Sequence, residues 1–274
     1  MAAITAKMVN DLRATTGAGM MDCKQALVEA DGDFEKAIDI LRKKGQKIAA
    51  KRADKDAKEG RAYAFASGKE GVALAFNCET EPVSNTEEFV KLGEKILNTA
   101  VKHKPATKEE LLALVVDGKP LSEHIVELSG KIGEKIEVSN YAYLKGEQVV
   151  SYLHGTKIAV LVNLSMAGDD LIEAGRNVGM QIAAMNPVAV DEKSVPVDMI
   201  EREKQIGIER ARQEGKPEAM LEKIAEGFLK KFYKESTLLN QEYVKDSKQT
   251  VKQYLESVKK GLTVVSFARI AVAR

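Results

Sequence analysis

The feature that most constrains this chain is a change of hydrophobic period that occurs twice along it. Apolar residues recur at helical spacing to about residue 45, alternate between Tyr63 and Phe76, and return to helical spacing from Phe89. Alternation then reappears from Ile136 to Leu164, and another helical stretch follows it. A period near 3.6 buries one stripe of a helix and a period of two buries one face of a strand, so neither pattern is satisfied in the other conformation. An α+β fold is predicted, with a small helical head followed by an antiparallel core of two related strand-then-helix subdomains.

Local signals place the elements. Thr5 stands as an N-cap with Ile4 before it and Val9 at the fourth helical position, a hydrophobic staple, and the helix is expected to stop near Gly17. Asp22 and Gln25 have capping-box spacing for a second helix, and Asp33 caps a third that is expected to end at Arg42-Lys43-Lys44-Gly45. Lys47 to Arg61 lacks an apolar stripe and reads as a solvated linker rather than a basic binding patch. Beyond it, Tyr63 and Phe65, the Ser67-Gly68-Lys69-Glu70-Gly71 turn, and Val72, Leu74 and Phe76 form a hairpin, and Thr86 caps a helix through Phe89, Leu92, Ile96 and Ala100. Lys108 to Val116 and Leu121 to Ile132 read as helical connections. The second unit repeats the grammar: Ile136 to Tyr143, Val149 to Leu153 and Ile158 to Leu164 as strands, then a helix with Leu171, Ala174, Val178 and Ile182. Two charged helices, Val197 to Gln213 and Glu218 to Lys234, flank Gly215-Lys216-Pro217 as an αα-hairpin. A helix through Val251 and Leu255 and an edge strand from Leu262 to Val272 close the chain. The expected domains are residues 1–52, the head and the start of the linker; 53–135, the first subdomain; and 136–274, the second, with the hairpin at about 197–236.

Comparing the two subdomains exposes an insertion. Cys78 to Phe89 spans 11 positions, whereas the equivalent Leu164 to Leu171 spans only 7. The extra Glu79-Thr80-Glu81-Pro82-Val83-Ser84-Asn85 is turn-like and acidic, and exposed loops on a rigid scaffold are where function concentrates.

Charge and composition narrow the chemistry. Lys plus Arg is 42 against 41 Asp plus Glu, a net charge of +1 that gives no global attraction to phosphate backbones or acidic membranes. Aromatics are 5% and Trp is absent, which disfavours base-stacking surfaces. The segment Met1 to Met20 is interrupted by Lys7, Asp11 and Arg13, unlike a signal peptide, and Ile158 to Leu164 falls far short of the roughly 20 residues of a membrane span, so a cytoplasmic protein is expected. Cys23 and Cys78 share no metal-ligand spacing with His103, His124 or His154, and no metal site is expected. Gly17-Ala18-Gly19 lacks the third glycine and the preceding strand of a dinucleotide fingerprint and is read as an interhelical turn; a phosphate loop is absent as well. Cys23 reads as a small buried apolar residue, and one of Met20 and Met21 is expected inside the head with the other outside. His154, beside Gly155 at a turn between strands, is either a projecting contact or an ordinary turn histidine. With no catalytic constellation, an interaction protein leads.

Leu12-Arg13-Ala14-Thr15-Thr16-Gly17-Ala18-Gly19-Met20-Met21-Asp22-Cys23-Lys24-Gln25-Ala26-Leu27 resembles the N-terminal signature of the bacterial elongation factor Ts family. Asn77-Cys78-Glu79-Thr80-Glu81-Pro82-Val83 and the segment Ser151 to Val162 resemble its second and third signatures, so the likeness covers nearly the whole chain. The resemblance implies a ubiquitin-associated-like head, two similar core subdomains and a projecting helical hairpin. It also implies guanine nucleotide exchange on elongation factor Tu, in its GDP-bound and nucleotide-free states, without a cofactor and without an enzymatic site. On that likeness the Tu-binding head is carried by Leu12, Arg13, Gly17, Gly19, Met20 and Met21, a distal Tu contact by His154 and Gly155, and dislocation of magnesium by Thr80, Glu81, Pro82 and Val83. Neither nucleic acid nor membrane is an implied partner, and a homodimer or a heterotetramer with Tu is compatible with it. The family's usual Thr-Asp-Phe-Val loop reads Thr80-Glu81-Pro82-Val83 here, without the aromatic wedge, and with the sequence ending at Arg274 the C-terminal helical module of some relatives is expected to be missing. The rival from another class is an RNA-associated ribosome-assembly or translation scaffold, suggested by the Lys-rich linker and Lys230-Lys231.

Overall fold

A computed structural model describes residues 3–273. The expectations that involve Met1 and Arg274 lie outside the described residues. The chain divides into two compact units, the first made from the described parts of Met1–Tyr63, Leu74–Ala142 and Ala271–Arg274, the second from Ala64–Ala73 and Tyr143–Ile270.

The first unit opens with three helices, α1 (Ala6–Thr16), α2 (Met20–Glu29) and α3 (Phe34–Lys51). The Thr5 hydroxyl caps α1 by accepting from the Met8 amide, and Gly17 ends it in the left-handed conformation at φ 65°. Asp33 caps α3, its carboxyl held below its ordinary pKa first by the Lys36 backbone amide and then by the Lys36 side chain. Leu12, Cys23, Ala26, Leu27 and Ala37 form the head's core. Two expectations need correction here. The N-cap of α2 is Gly19, which leaves Asp22 inside the first turn, where it pairs with Lys44 at 2.6 Å instead of closing a capping box. Helix α3 runs six residues past Gly45, because Gly45 serves a close packing contact and Ile48, Ala49 and Ala50 continue a good helical sequence.

Strands β1 (Glu59–Ser67) and β2 (Glu70–Cys78) form the expected hairpin, followed by a single helical turn α4 (Glu81–Ser84) and the long α5 (Glu87–His103), capped by Thr86. Phe76 stacks on Phe89 at 4.4 Å between ring centroids, which joins strand to helix. Next come α6 (Lys108–Ala113), the two-residue strands β3 (Val115–Val116) and β4 (Lys119–Pro120), α7 (Leu121–Ile132) and β5 (Glu137–Lys145). The helix expected to reach Val116 stops at Ala113, since Asp117 and Gly118, both at positive φ, make a tight hairpin turn instead. Strand β5 joins the sheet β1-β2-β5 rather than pairing with the strand after it. Helix α3 packs on α7 where Gly45 meets Gly130, and a Cβ built on Gly130 would fall against the Gly45 backbone.

In the second unit, the tips of β1, β2 and β5 come beside β6 (Gln148–His154) and β7 (Ile158–Leu164). The Gly146 amide bonds the Lys69 carbonyl, the Val149 amide bonds that of Gly68, and a Cβ on Gly71 would meet Val149 and Leu161. Helix α8 (Ile172–Met185) lies on β6 and β7, its Gly175 and Gly179 seating Val150 and Tyr152. The predicted αα-hairpin is α9 (Val197–Gln213) and α10 (Glu218–Ser236), and a small ribbon β8 (Glu242–Tyr243) with β9 (Asp246–Thr250) precedes α11 (Val251–Val258). Strand β10 (Val264–Ala271) takes the edge of β10-β7-β6, as its alternation predicts. Each three-stranded sheet thus consists of a hairpin and a strand from later in the chain, with a helix following the hairpin.

Replacing Gly130 by Ala should force α3 and α7 apart and destabilise the first unit by about 1–3 kcal/mol, the usual effect of overpacking. Urea unfolding followed by helical circular dichroism should show a lowered midpoint. An unchanged midpoint would mean that the two helices can separate freely.

Candidate functional site

The inserted segment is a built turn. Thr80 precedes one helical turn, Glu81–Ser84, with Pro82 in the first turn, where the missing N–H leaves no bond unmade. Thr80, Glu81 and Pro82 are exposed, Val83 is half-buried and Ser84 is buried. The Ser84 hydroxyl and the Asn85 amide both donate back to the Glu81 carbonyl, at 2.7 and 3.3 Å.

Outside groups hold both ends. At the start, the Glu134 carboxylate accepts from the Glu79 amide at 3.2 Å, the Thr80 amide at 3.0 Å and the Thr80 hydroxyl at 2.6 Å. The Glu79 carboxylate in turn accepts from the Lys135 amide at 2.7 Å and pairs with Arg52 at 3.1 Å. At the far end, Arg61 donates to the Ser84 carbonyl at 2.8 Å and to the Asn85 side chain at 2.7 Å. Charge-assisted bonds of this kind are among the stronger ones available to a partly solvated turn. Arg52 and Arg61 therefore have structural duties inside the stretch expected to be a solvated linker. Two residues beyond Arg61, the Tyr63 hydroxyl packs against Gly93, and burial pushes its pKa up to about 12, so it stays a neutral phenol.

The head presents its residues unequally. Leu12 is fully buried and can act only through packing, whereas Arg13 and Gly19 are exposed. Met20 and Met21 both point outward, 52% and 74% exposed, which corrects the expectation of one inside; Cys23, Ala26 and Leu27 already fill that core. Gly17 touches the Lys131 ammonium, and with Arg13, Asn10 and Ala14 it lines a cleft of about 540 Å³ closed by Glu88 and Lys131, which pair with each other. Glu88 lies in the first turn of α5, directly after the inserted turn, so the head residues and that segment share the first unit.

His154 and Gly155 belong to the second unit. His154 pairs with Ile158 at the end of β6, and Gly155, at φ 56°, begins the three-residue connection to β7. The His154 ring is exposed and its Nδ1 lies 3.2 Å from the Tyr152 hydroxyl. Cys23 is buried, as expected, and donates to the Ala18 carbonyl at 3.6 Å. Sequence reasoning missed Arg52, Arg61 and Glu134, because no local pattern ties a residue to a partner 27, 23 or 54 positions away.

Residues 79–274 match the family described as Elongation factor TS. The chain belongs to the elongation factor Ts family. It is 55% identical to Elongation factor Ts of Cytophaga hutchinsonii over 278 residues, with the whole of both chains covered. It is 52% identical to Elongation factor Ts of Amoebophilus asiaticus over 98% of this chain and 99% of that one. It is 43% identical to Elongation factor Ts of Paenarthrobacter aurescens over 98% of this chain and 99% of that one. As a member of the elongation factor Ts family the protein is a translation elongation factor, and its expected α+β architecture stands. Among its described residues no helix is long and apolar enough to cross a membrane.

In this elongation factor Ts chain, Leu12 and Met21 should separate packing from contact. Leu12→Ala should lower stability by about 2–5 kcal/mol through the cavity it opens, and Met21→Ala by no more than about 0.5 kcal/mol. Chemical denaturation of both variants checks this, and equal losses would contradict the exposure assigned to Met21.

Proposed function

We propose that the chain is the guanine nucleotide exchange factor of elongation factor Tu, working as a binding protein with no active site and no cofactor of its own, in the cytoplasm. The observation that carries the reading is the exposed Thr80–Val83 turn, pinned at both ends, in a chain of the elongation factor Ts family. An inert connection has no need of two arginines and two carboxylates to keep its shape.

In this reading the head of residues 1–52 grips a helix of the GTPase domain of Tu through Arg13, Met20 and Met21, with Gly17 and Gly19 shaping the turn and Leu12 holding the helices beneath. His154 and Gly155 engage a more distant domain. The Thr80-Glu81-Pro82-Val83 turn then presses on the region that holds magnesium and the phosphates. The wedge is the turn's backbone, since the family's phenylalanine is replaced by Pro82, and the Glu81 carboxylate competes for the charges that bind the metal. No bond is made or broken. The factor binds nucleotide-free Tu more tightly than Tu with GDP, and that difference in affinity is what expels the nucleotide. The RNA-scaffold alternative is not favoured by the family or by a net charge of +1.

Substoichiometric protein should accelerate release of a fluorescent GDP analogue from Tu, because the factor is freed when a new nucleotide binds. The double variant Glu81→Ala, Pro82→Gly should slow that release more than about tenfold, or about 1.4 kcal/mol on the barrier, with a smaller change in affinity for nucleotide-free Tu. Release traces that the parent protein leaves unchanged at saturation would refute the exchange function. Equal losses of rate and affinity would reduce the turn to a binding contact.

A further inference from the structure

The residue that holds the inserted turn lies outside it, at the end of α7. Glu134 follows Gly133, whose left-handed φ of 82° ends the helix and whose amide bonds the Ser129 carbonyl at 2.8 Å. The Ser129 hydroxyl donates to the Glu134 carbonyl at 2.5 Å, so the backbone that bears this carboxylate is itself tied down. From there Glu134 takes the three hydrogen bonds of the Glu79 and Thr80 donors with both its oxygens. Glu79 reciprocates onto Lys135, the next residue, and the two segments are laced by a pair of carboxylates, each bonding the other's backbone. Glu134 is half-buried beneath a turn whose outer residues are exposed, which puts it behind the presented surface and not on it.

We propose that Glu134 is a positioning residue for exchange, one that keeps the Thr80–Val83 turn in its pressing conformation before Tu arrives. The inference rests on the exchange reading given above. A turn that must order itself during the encounter loses part of its binding energy to that ordering, and a preordered turn does not. A latch of this kind acts on the rate of nucleotide expulsion at saturation, because docking relies on the head and on His154. The Arg52 contact to Glu79 extends the latch to the residue that caps α3.

The test is GDP-analogue release from Tu, titrated with the parent protein and with Glu134→Ala, Glu134→Asp and Glu134→Gln. Glu134→Ala should lower the maximal release rate about tenfold, with the half-saturating concentration changed less than about twofold. Gln keeps the length and an acceptor oxygen and should recover most of the rate. Asp keeps the charge but not the reach, should stay slow, and decides the matter if the alanine variant does not fold. Hydrogen exchange of the Thr80 amide in the free protein should quicken in Ala and Asp and remain slow in Gln. Maximal rates equal to the parent's in Ala and Asp, a loss confined to the half-saturating concentration, or a Gln variant as slow as Ala would each overturn the proposal while leaving the exchange reading in place. A parent protein that fails to speed release would defeat the exchange reading itself, and this proposal with it.

Discussion

The first unit depends on how closely α3 and α7 approach. Gly45 and Gly130 meet with no side chain between them, and that contact sets the end of α7 within reach of everything around it. Lys131, one residue on, pairs with Glu88 under Gly17, and Glu134 and Lys135 take hold of the turn that begins at Glu79. Arg42 reaches Glu123 and Glu127 earlier along the same helix, at 2.7 and 3.5 Å. Such exposed ion pairs contribute little individually, about 0–1 kcal/mol each. The packing of the two helices is what places them, and a side chain at Gly130, whose Cβ would fall against the Gly45 backbone, would press the helices apart.

Much of this was legible because it is local. The caps at Thr5, Asp33 and Thr86 and the stop at Gly17 rest on bonds between residues three or four apart, and the structure has them where the spacing puts them. The αα-hairpin was legible for the same reason. Gly45 was misread because a glycine after three basic residues satisfies the rule for a helix end, while its real partner, Gly130, is 85 positions away. Asp117-Gly118 is a local hairpin signal that the apolar spacing of Leu111 to Val116 obscured. The placement of β5 beside β2 is a choice between two sheets, and alternation within a strand cannot make that choice.

For the candidate site the division is similar. An insertion in one subdomain singled out the segment, and its composition predicted that its outer residues would be exposed, as Thr80, Glu81 and Pro82 are. Neither could reveal that the segment is a helical turn held by Glu134 and Arg61, since those partners are 54 and 23 positions from the groups they bind. Met20 and Met21 were ambiguous because the head is small, and the question was settled by the volume that Cys23, Ala26 and Leu27 already occupy.

The central claim is that a rigid turn on a firmly docked body lowers the affinity of Tu for GDP. Coupling between two ligands is reciprocal, so GDP must lower the affinity of Tu for this protein by the same factor. The most direct measurement is the dissociation constant of the complex with Tu, by calorimetry, across a titration of GDP with magnesium. The account predicts a constant that rises with GDP and levels off at its nucleotide-free value multiplied by the ratio of the GDP affinities of free and bound Tu. A constant indifferent to GDP would contradict it, because a protein that binds both states of Tu equally cannot expel the nucleotide.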